Sequence, residues 1–134
     1  MATPVADVVQ LIRKNISIFH DLSSEHVWPY MIDPDDDSQT EAIVVVSELP
    51  RRGHVYGNGI PISERRRIQL TLYYPRDWSG DMEGLEHELQ SFLLTHGYHC
   101  YANAGHVMTP DGQNITNSLK FNFTRRQFKW PLEV

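Results

Sequence analysis

Apolar residues recur along this chain with two different periods, and the points where one gives way to the other mark its elements. Val5, Val8, Val9, Ile12 and Ile16 fall three and four residues apart, a spacing that gathers side chains on one face of an α-helix. Thr3 followed by Pro4 supplies a hydroxyl cap and then a ring whose φ is already helical, so a first helix is predicted over about 4–15. Val27, Trp28, Tyr30 and Ile32 are β-formers, but Pro29 confines their segment, 26–32, to an edge or an irregular strand. Asp33-Pro34-Asp35-Asp36-Asp37-Ser38 reads as turn and surface loop.

Two stronger strands follow. Glu41 to Leu49 holds an apolar block dense enough for both faces to be covered, and Ser63 to Tyr74 alternates Ile68, Leu70, Leu72 and Tyr74 with Arg67, Gln69, Thr71 and Tyr73, one face buried and one wetter. Between them Pro50 to Pro61 is rich in Arg and Gly and carries Gly57-Asn58-Gly59, which predicts a hairpin arm over about 50–62 projecting from the sheet. After the break at Pro75 to Gly80, Met82, Leu85, Leu89, Phe92 and Leu93 return to helical spacing until Gly97, predicting a second helix over about 81–96. A strand over 98–103, a turn at 109–112 and a last strand over 119–124 complete the series. The expected order is α-β-β-β-α-β-β. No internal repeat and no linker interrupts it, so residues 1–134 read as a single α+β domain, an antiparallel sheet with two helices on one face.

Composition narrows the function classes. A chain of 134 residues buries about 65–70% of the surface its unfolded form exposes and needs no metal or disulfide to hold a core. Twelve basic against seventeen acidic side chains leave a net charge of −5, which argues against a surface built throughout to receive a polyanion. Cys100 is alone and cannot form an intramolecular disulfide, and Asp7 interrupts the apolar run that a secretory leader needs; a cytosolic compartment is expected. Without export the Asn-x-Ser/Thr matches at Asn15, Asn114 and Asn122 carry no weight. The longest strongly apolar stretch, Ile43 to Val46, is far short of the ~20 residues a membrane span requires.

Catalytic and metal patterns are absent. His96, His99 and His106 cluster, but they straddle the Gly97 break and no second group of Cys or carboxylates stands at ligand spacing; they read as structural or surface residues. His87-Glu88 lacks the second histidine of a zinc pair, since Ser91 stands there. Asp33, Asp35 and Asp37 resemble the start of a calcium loop, yet Ser38 replaces the glycine needed at the sixth position. Gly57-x-Gly59 lacks the glycine, lysine or helix of a nucleotide cradle, and Cys100, inside a predicted strand, has nothing to activate it. No enzyme and no cofactor are expected.

Charge placement says more than its sum. From Asp21 to Glu41 there are seven acids and no Lys or Arg, and the second helix adds Asp81, Glu83, Glu86 and Glu88. Arg51, Arg52, Arg65, Arg66 and Arg67 stand in or beside the hairpin, and Lys120, Arg125, Arg126 and Lys129 in the last strand and tail. Each run alone is compatible with a solvated face. Together they give acidic and basic poles on different elements, suited to contacts in which one pole of a copy meets the other pole of its neighbour and a ring closes. The element order also suits a double-stranded-RNA-binding module, but the acids opening helix two would repel the phosphates that such a module meets there.

Thr3-Pro4-Val5-Ala6-Asp7-Val8-Val9, the run Arg66 to Pro75 ending in Tyr-Tyr-Pro, Gly84-Leu85-Glu86-His87-Glu88-Leu89 and Gly97-Tyr98 resemble the small tail-component proteins of long-tailed bacteriophages of Gram-positive hosts, over most of the chain. The topology is similar to that of tail terminators. That resemblance implies α+β subunits in a hexameric ring that caps the tail tube, stops its polymerisation and offers a docking surface to the head connector. It implies a virion protein at the head-proximal end of the tail, assembled in the host cytoplasm, with itself, the tube protein and the connector as partners and no membrane. On this reading Arg51, Arg52, His54, Tyr56, Arg65, Arg66 and Arg67 make contacts with a neighbour or the tube. Arg125, Arg126, Phe128 and Trp130, in a C-terminal extension over about 125–134 too apolar for a free tail, are ordered by a partner copy or connector. DNA passes through the ring without specific binding, so its lumen is neutral or acidic, drawn from the loop with Asp35, Asp36 and Asp37 or from the helix with Glu83 and Glu86. A neck or head-completion adaptor, or a tail-assembly factor, without a tube-capping role is the alternative.

Overall fold

A computed structural model describes residues 3–32, 41–57 and 60–126, with 50–57, 60–65 and 124–126 described through their backbone. The first helix, α1 (Pro4–Lys14), begins as its sequence dictates. The Thr3 hydroxyl accepts from the Ala6 N–H at 3.2 Å, Pro4 opens the first turn, Asp7 sits near the positive end of the helix dipole and Arg13 and Lys14 near its negative end. The strands are β1 (Val27–Pro29), β2 (Ile43–Gly57) and β3 (Ile60–Pro75), then, after α2 (Met82–Thr95), β4 (His99–Asn103), β5 (Val107–Met108) and β6 (Asn114–Arg126).

The molecule is a mixed α+β domain whose sheet runs β1-β2-β3-β6-β4, with β5 also paired to β6. Its centre is antiparallel. At the edge the structure corrects the expected all-antiparallel sheet: β1 runs parallel to β2, with Val27, Trp28 and Pro29 opposite Val44, Val45 and Val46. A parallel neighbour needs a crossover rather than a tight hairpin. Pro29, unable to donate to a ladder, sits on this three-residue edge strand.

In β3 the alternate residues Ile68, Leu70, Leu72 and Tyr74 are all 0% exposed. They lie opposite Glu48, Val46 and Val44 on β2 and opposite Phe121, Leu119, Asn117 and Ile115 on β6. This face packs with Val5, Val8, Val9 and Ile12 of α1 and Leu85, Leu89, Phe92 and Leu93 of α2 into one apolar cluster. Both helices therefore cover the same side of the sheet. Gln69, Thr71 and Tyr73 point the other way, in register with Ser47, Val45 and Ile43 and with Lys120, Ser118 and Thr116.

Beyond the helices β2 and β3 stay paired from Gly53 and Arg65 out to Gly57 and Ile60, with irregular register between Leu49 and Gly53 and between Val55 and Tyr56. The strands are thus longer than alternation suggested, because the Arg- and Gly-rich segment continues the ladder through bulges. The turn residues Asn58 and Gly59 lie outside the described residues. β6 likewise starts at Asn114 rather than 119, and Ile115 and Thr116 near its start pair with the unexpected β5. Helix α2 is capped by Asp81, whose carboxylate accepts from the Gly84 N–H at 3.0 Å, and it ends before Gly97 at φ +89°, a conformation that favours glycine.

One core residue stands out. Asn117 is 1% exposed on the helix-covered side of β6, and neither atom of its amide has a hydrogen-bond partner among the described residues. A buried amide without a partner costs about 1–3 kcal/mol. Asn117→Val, of similar size and better suited to a strand, is therefore expected to raise unfolding stability by about 1 kcal/mol, seen as a higher urea midpoint with an unchanged slope.

Candidate functional site

The last core-facing residue of β3 is a tyrosine, so the apolar face ends in a hydroxyl beneath α2. Tyr74 Oη donates to Glu86 Oε2 at 2.7 Å and lies 3.3 Å from the Met82 carbonyl. Glu86 is 3% exposed, and His106 Nε2 stands 2.8 Å from the same Oε2. Burial first, then the bond to Glu86 and the charges of Glu86 and Asp81, hold the Tyr74 hydroxyl well above the ordinary phenol range. It is a permanent donor at any physiological pH.

Glu86 and His106 line an open cleft of about 580 Å³. Glu83, His87 and Gln90 of α2 form one wall, and Asn103, Gly105 and His106, in and after β4, form the other. Two further depressions lie around and before the start of α2, one with Asp21, Asp81 and Glu88, the other with Asp21, Glu41 and Trp78. Among the described residues no Lys or Arg lines any of the three. The acids meet histidines instead. Glu88 accepts from the His20 backbone N–H at 3.2 Å and meets the His20 ring at 2.7 Å, while His26 and Glu41 approach to 2.9 Å. The bond and charge of Glu88 push the His20 imidazole above its ordinary value.

The opposite end of the sheet is basic. Register places Arg65, Arg66 and Arg67 beside Thr124, Phe123 and Asn122, with Arg125 and Arg126 opposite Glu64 and Ser63. Arg51 and Arg52 fall in the bulge between the Leu49–Arg67 and Gly53–Arg65 pairs. Three segments far apart in sequence thus bring their arginines together, about 25 Å along β3 from Tyr74 at 3.3 Å per residue.

Two expected site residues change place. Glu86 does not belong to a solvent-facing acidic pole: it lies four residues after Met82 and three before Leu89, on the buried face of α2. Arg66 is not free for an external contact. It shares the core side of β3 with Ile68, its side chain is 10% exposed, and its guanidinium meets Glu48 Oε1 at 2.7 Å. Arg67 is half-buried on the uncovered side, and Glu83 is exposed in the first turn of α2. Arg51, Arg52, His54, Tyr56, Arg65, Arg125 and Arg126 are placed through their backbone, whereas Asp35, Asp36, Asp37, Phe128 and Trp130 lie outside the described residues.

The Tyr74–Glu86–His106 group was not foreseen. Its signal was present, since Glu86 completes the i, i+3, i+4, i+7 stripe of α2 as its one charged member. Chemically the trio can hold a proton, and among the described residues it brings no hydroxyl or thiol nucleophile into the cleft. Cys100 lies elsewhere, half-buried, its thiol pushed up by burial. Among the described residues no group of three or more His, Cys, Asp and Glu is placed to hold a metal ion. Compared with known protein families and with curated proteins, the chain matches none.

Tyr74→Phe removes one of the two donors on a buried carboxylate, and a loss of about 1–3 kcal/mol in unfolding stability is expected, read by urea denaturation. The His20 imidazole, followed by NMR, is expected to titrate above an unfolded-chain histidine. Its contribution to stability is present at low pH and fades as pH rises through that midpoint. Glu88→Gln should return the midpoint toward the free value.

Proposed function

We propose that this chain is a structural protein of a long-tailed bacteriophage, a tail terminator whose copies close into a ring on the tail tube, end its growth and receive the head connector. The observation that carries this reading is the separation of charge along the sheet: arginines of β2, β3 and β6 at one end, carboxylates around the start of α2 at the other. A subunit polarised in this way is complementary to a second copy placed head to tail, and a heterologous contact of that kind closes into a ring when the rotation between copies is right. The α+β fold, with both helices on one side and the other side of the sheet free of them, agrees with the subunit architecture that the resemblance implies.

Within such a ring the arm formed by the distal halves of β2 and β3 reaches the neighbour or the tube, and Glu83 remains available to a lumen that must not hold DNA by its phosphates. Binding of this sort uses surface and charge and needs no cofactor. Association through opposite charges is expected to weaken with salt.

Two measurements test the reading. Light scattering on the full chain should give a mass above the monomer at low salt that falls as salt is raised; a monomer at every salt concentration, even with tail tube added, would count against it. Deleting the gene should yield overlong tail tubes. Tails of normal length beside unattached heads would instead identify a neck adaptor.

A further inference from the structure

Helix α2 is held at two flanks by histidines from distant parts of the chain. On one flank the connection after α1 anchors Phe19, 5% exposed, edge-on against Phe92 at 5.3 Å between ring centroids, and the next residue, His20, meets Glu88 through both its ring and its backbone N–H. On the other flank the turn between β4 and β5 passes through Gly105 at φ +87° and delivers His106 to Glu86. We infer that the Glu86–His106 and Glu88–His20 pairs form a proton-operated clasp, closed on α2 from both sides when the imidazoles are charged and loosened when they are neutral.

The surroundings favour this behaviour. Glu86 is faced by Tyr74 from β3 and by His106, and Glu83 and His87 of its own helix share the cleft. Asp81 acts on Tyr74, adding negative charge nearby. His20 is faced by Glu88, with Asp21 beside it and Asp81 lining the same depression. Among the described residues no Lys or Arg lines either site, and imidazole is the side chain that most readily exchanges a proton in the physiological range. The His106 side chain is 27% exposed, open to solvent protons, while the Glu86 side chain is 4% exposed. A charged His106 compensates that buried carboxylate. A neutral His106 leaves it only uncharged donors, and the tie between the turn and the helix weakens. The sign is the same on the exposed flank: Glu88 raises the proton affinity of His20, so that tie is complete at mildly acidic pH and lost as pH rises through the raised value.

The test is residue-resolved amide exchange on the full chain at about pH 6 and pH 8, with rates corrected for intrinsic exchange. The probes are Ala104, whose N–H bonds the Ser118 carbonyl, and Gly105, bonded to Asn103, on one flank, and Phe19 and His20 on the other. Protection at all four is expected to be about fivefold greater at the lower pH. His106→Gln keeps an N–H donor but cannot charge, and it should abolish the pH dependence at Ala104 and Gly105 while leaving that at Phe19 and His20. Glu88→Gln, a substitution at a half-buried position of α2, should do the converse and serves should His106→Gln fail to fold. Protection equal at both pH values in the unaltered chain, or a wild-type pH dependence surviving in the matching variant, would overturn the clasp.

Discussion

The burial of one side of β3 beneath two helices sets most of what else the molecule does. Ile68, Leu70, Leu72 and Tyr74 are fully buried and flanked on both sides by β2 and β6, and covering an aliphatic side chain of this size is worth roughly 1.5–3 kcal/mol. A slip of one residue would turn Arg67, Gln69, Thr71 and Tyr73 toward α1 and α2, so the register is fixed by the core alone. Two polar consequences follow from that register. At one end it places Arg66 on the covered side, where the guanidinium finds Glu48; at the other it aims the Tyr74 hydroxyl at α2, where Glu86 accepts from it.

What the sequence revealed, and what it hid, follows the range of the interactions. Helix α1 was readable from Thr3-Pro4 and the Val5 to Ile12 stripe, α2 from Met82 to Leu93, and β3 from strict alternation, because each signal lies within a few neighbouring residues. The parallel pairing of β1 was not, since direction depends on the path of the crossover and not on the strand's own side chains. The early part of β6 was hidden by Asn117, a polar residue in a core-facing position, which breaks the alternation between Ile115 and Leu119. The outer halves of β2 and β3 were legible as a hairpin arm from their arginine and glycine content, and what composition did not specify was the bulged ladder that joins them to the sheet.

The candidate site was legible in its charges and not in its pairings. Clustering of acids between Asp21 and Glu41 and along α2, and of arginines elsewhere, is a property of the string of residues. That His106 joins Glu86 across twenty positions and His20 joins Glu88 across sixty-eight is a property of the fold. Glu86 shows the difference plainly: its composition assigns it to the acidic surface, its position in the helical stripe assigns it to the core, and position prevails because Tyr74 and His106 supply donors there.

Asn117 on the covered side of the sheet and Glu86 on the buried face of α2 also show why charge and stability are tied together there. Asn117 has no hydrogen-bond partner among the described residues and so opposes folding by a fixed amount, whereas Glu86 is compensated by the donors that Tyr74 and His106 bring to it. The same protons act outward. Charging His20 and His106 adds positive charge beside Asp21, Asp81, Glu83 and Glu88, and lessens the negative field at that end of the molecule. A clasp that tightens α2 therefore reduces the pull of its acidic surroundings on a basic surface, so that firmness of the subunit and strength of charge-driven association move in opposite directions with pH.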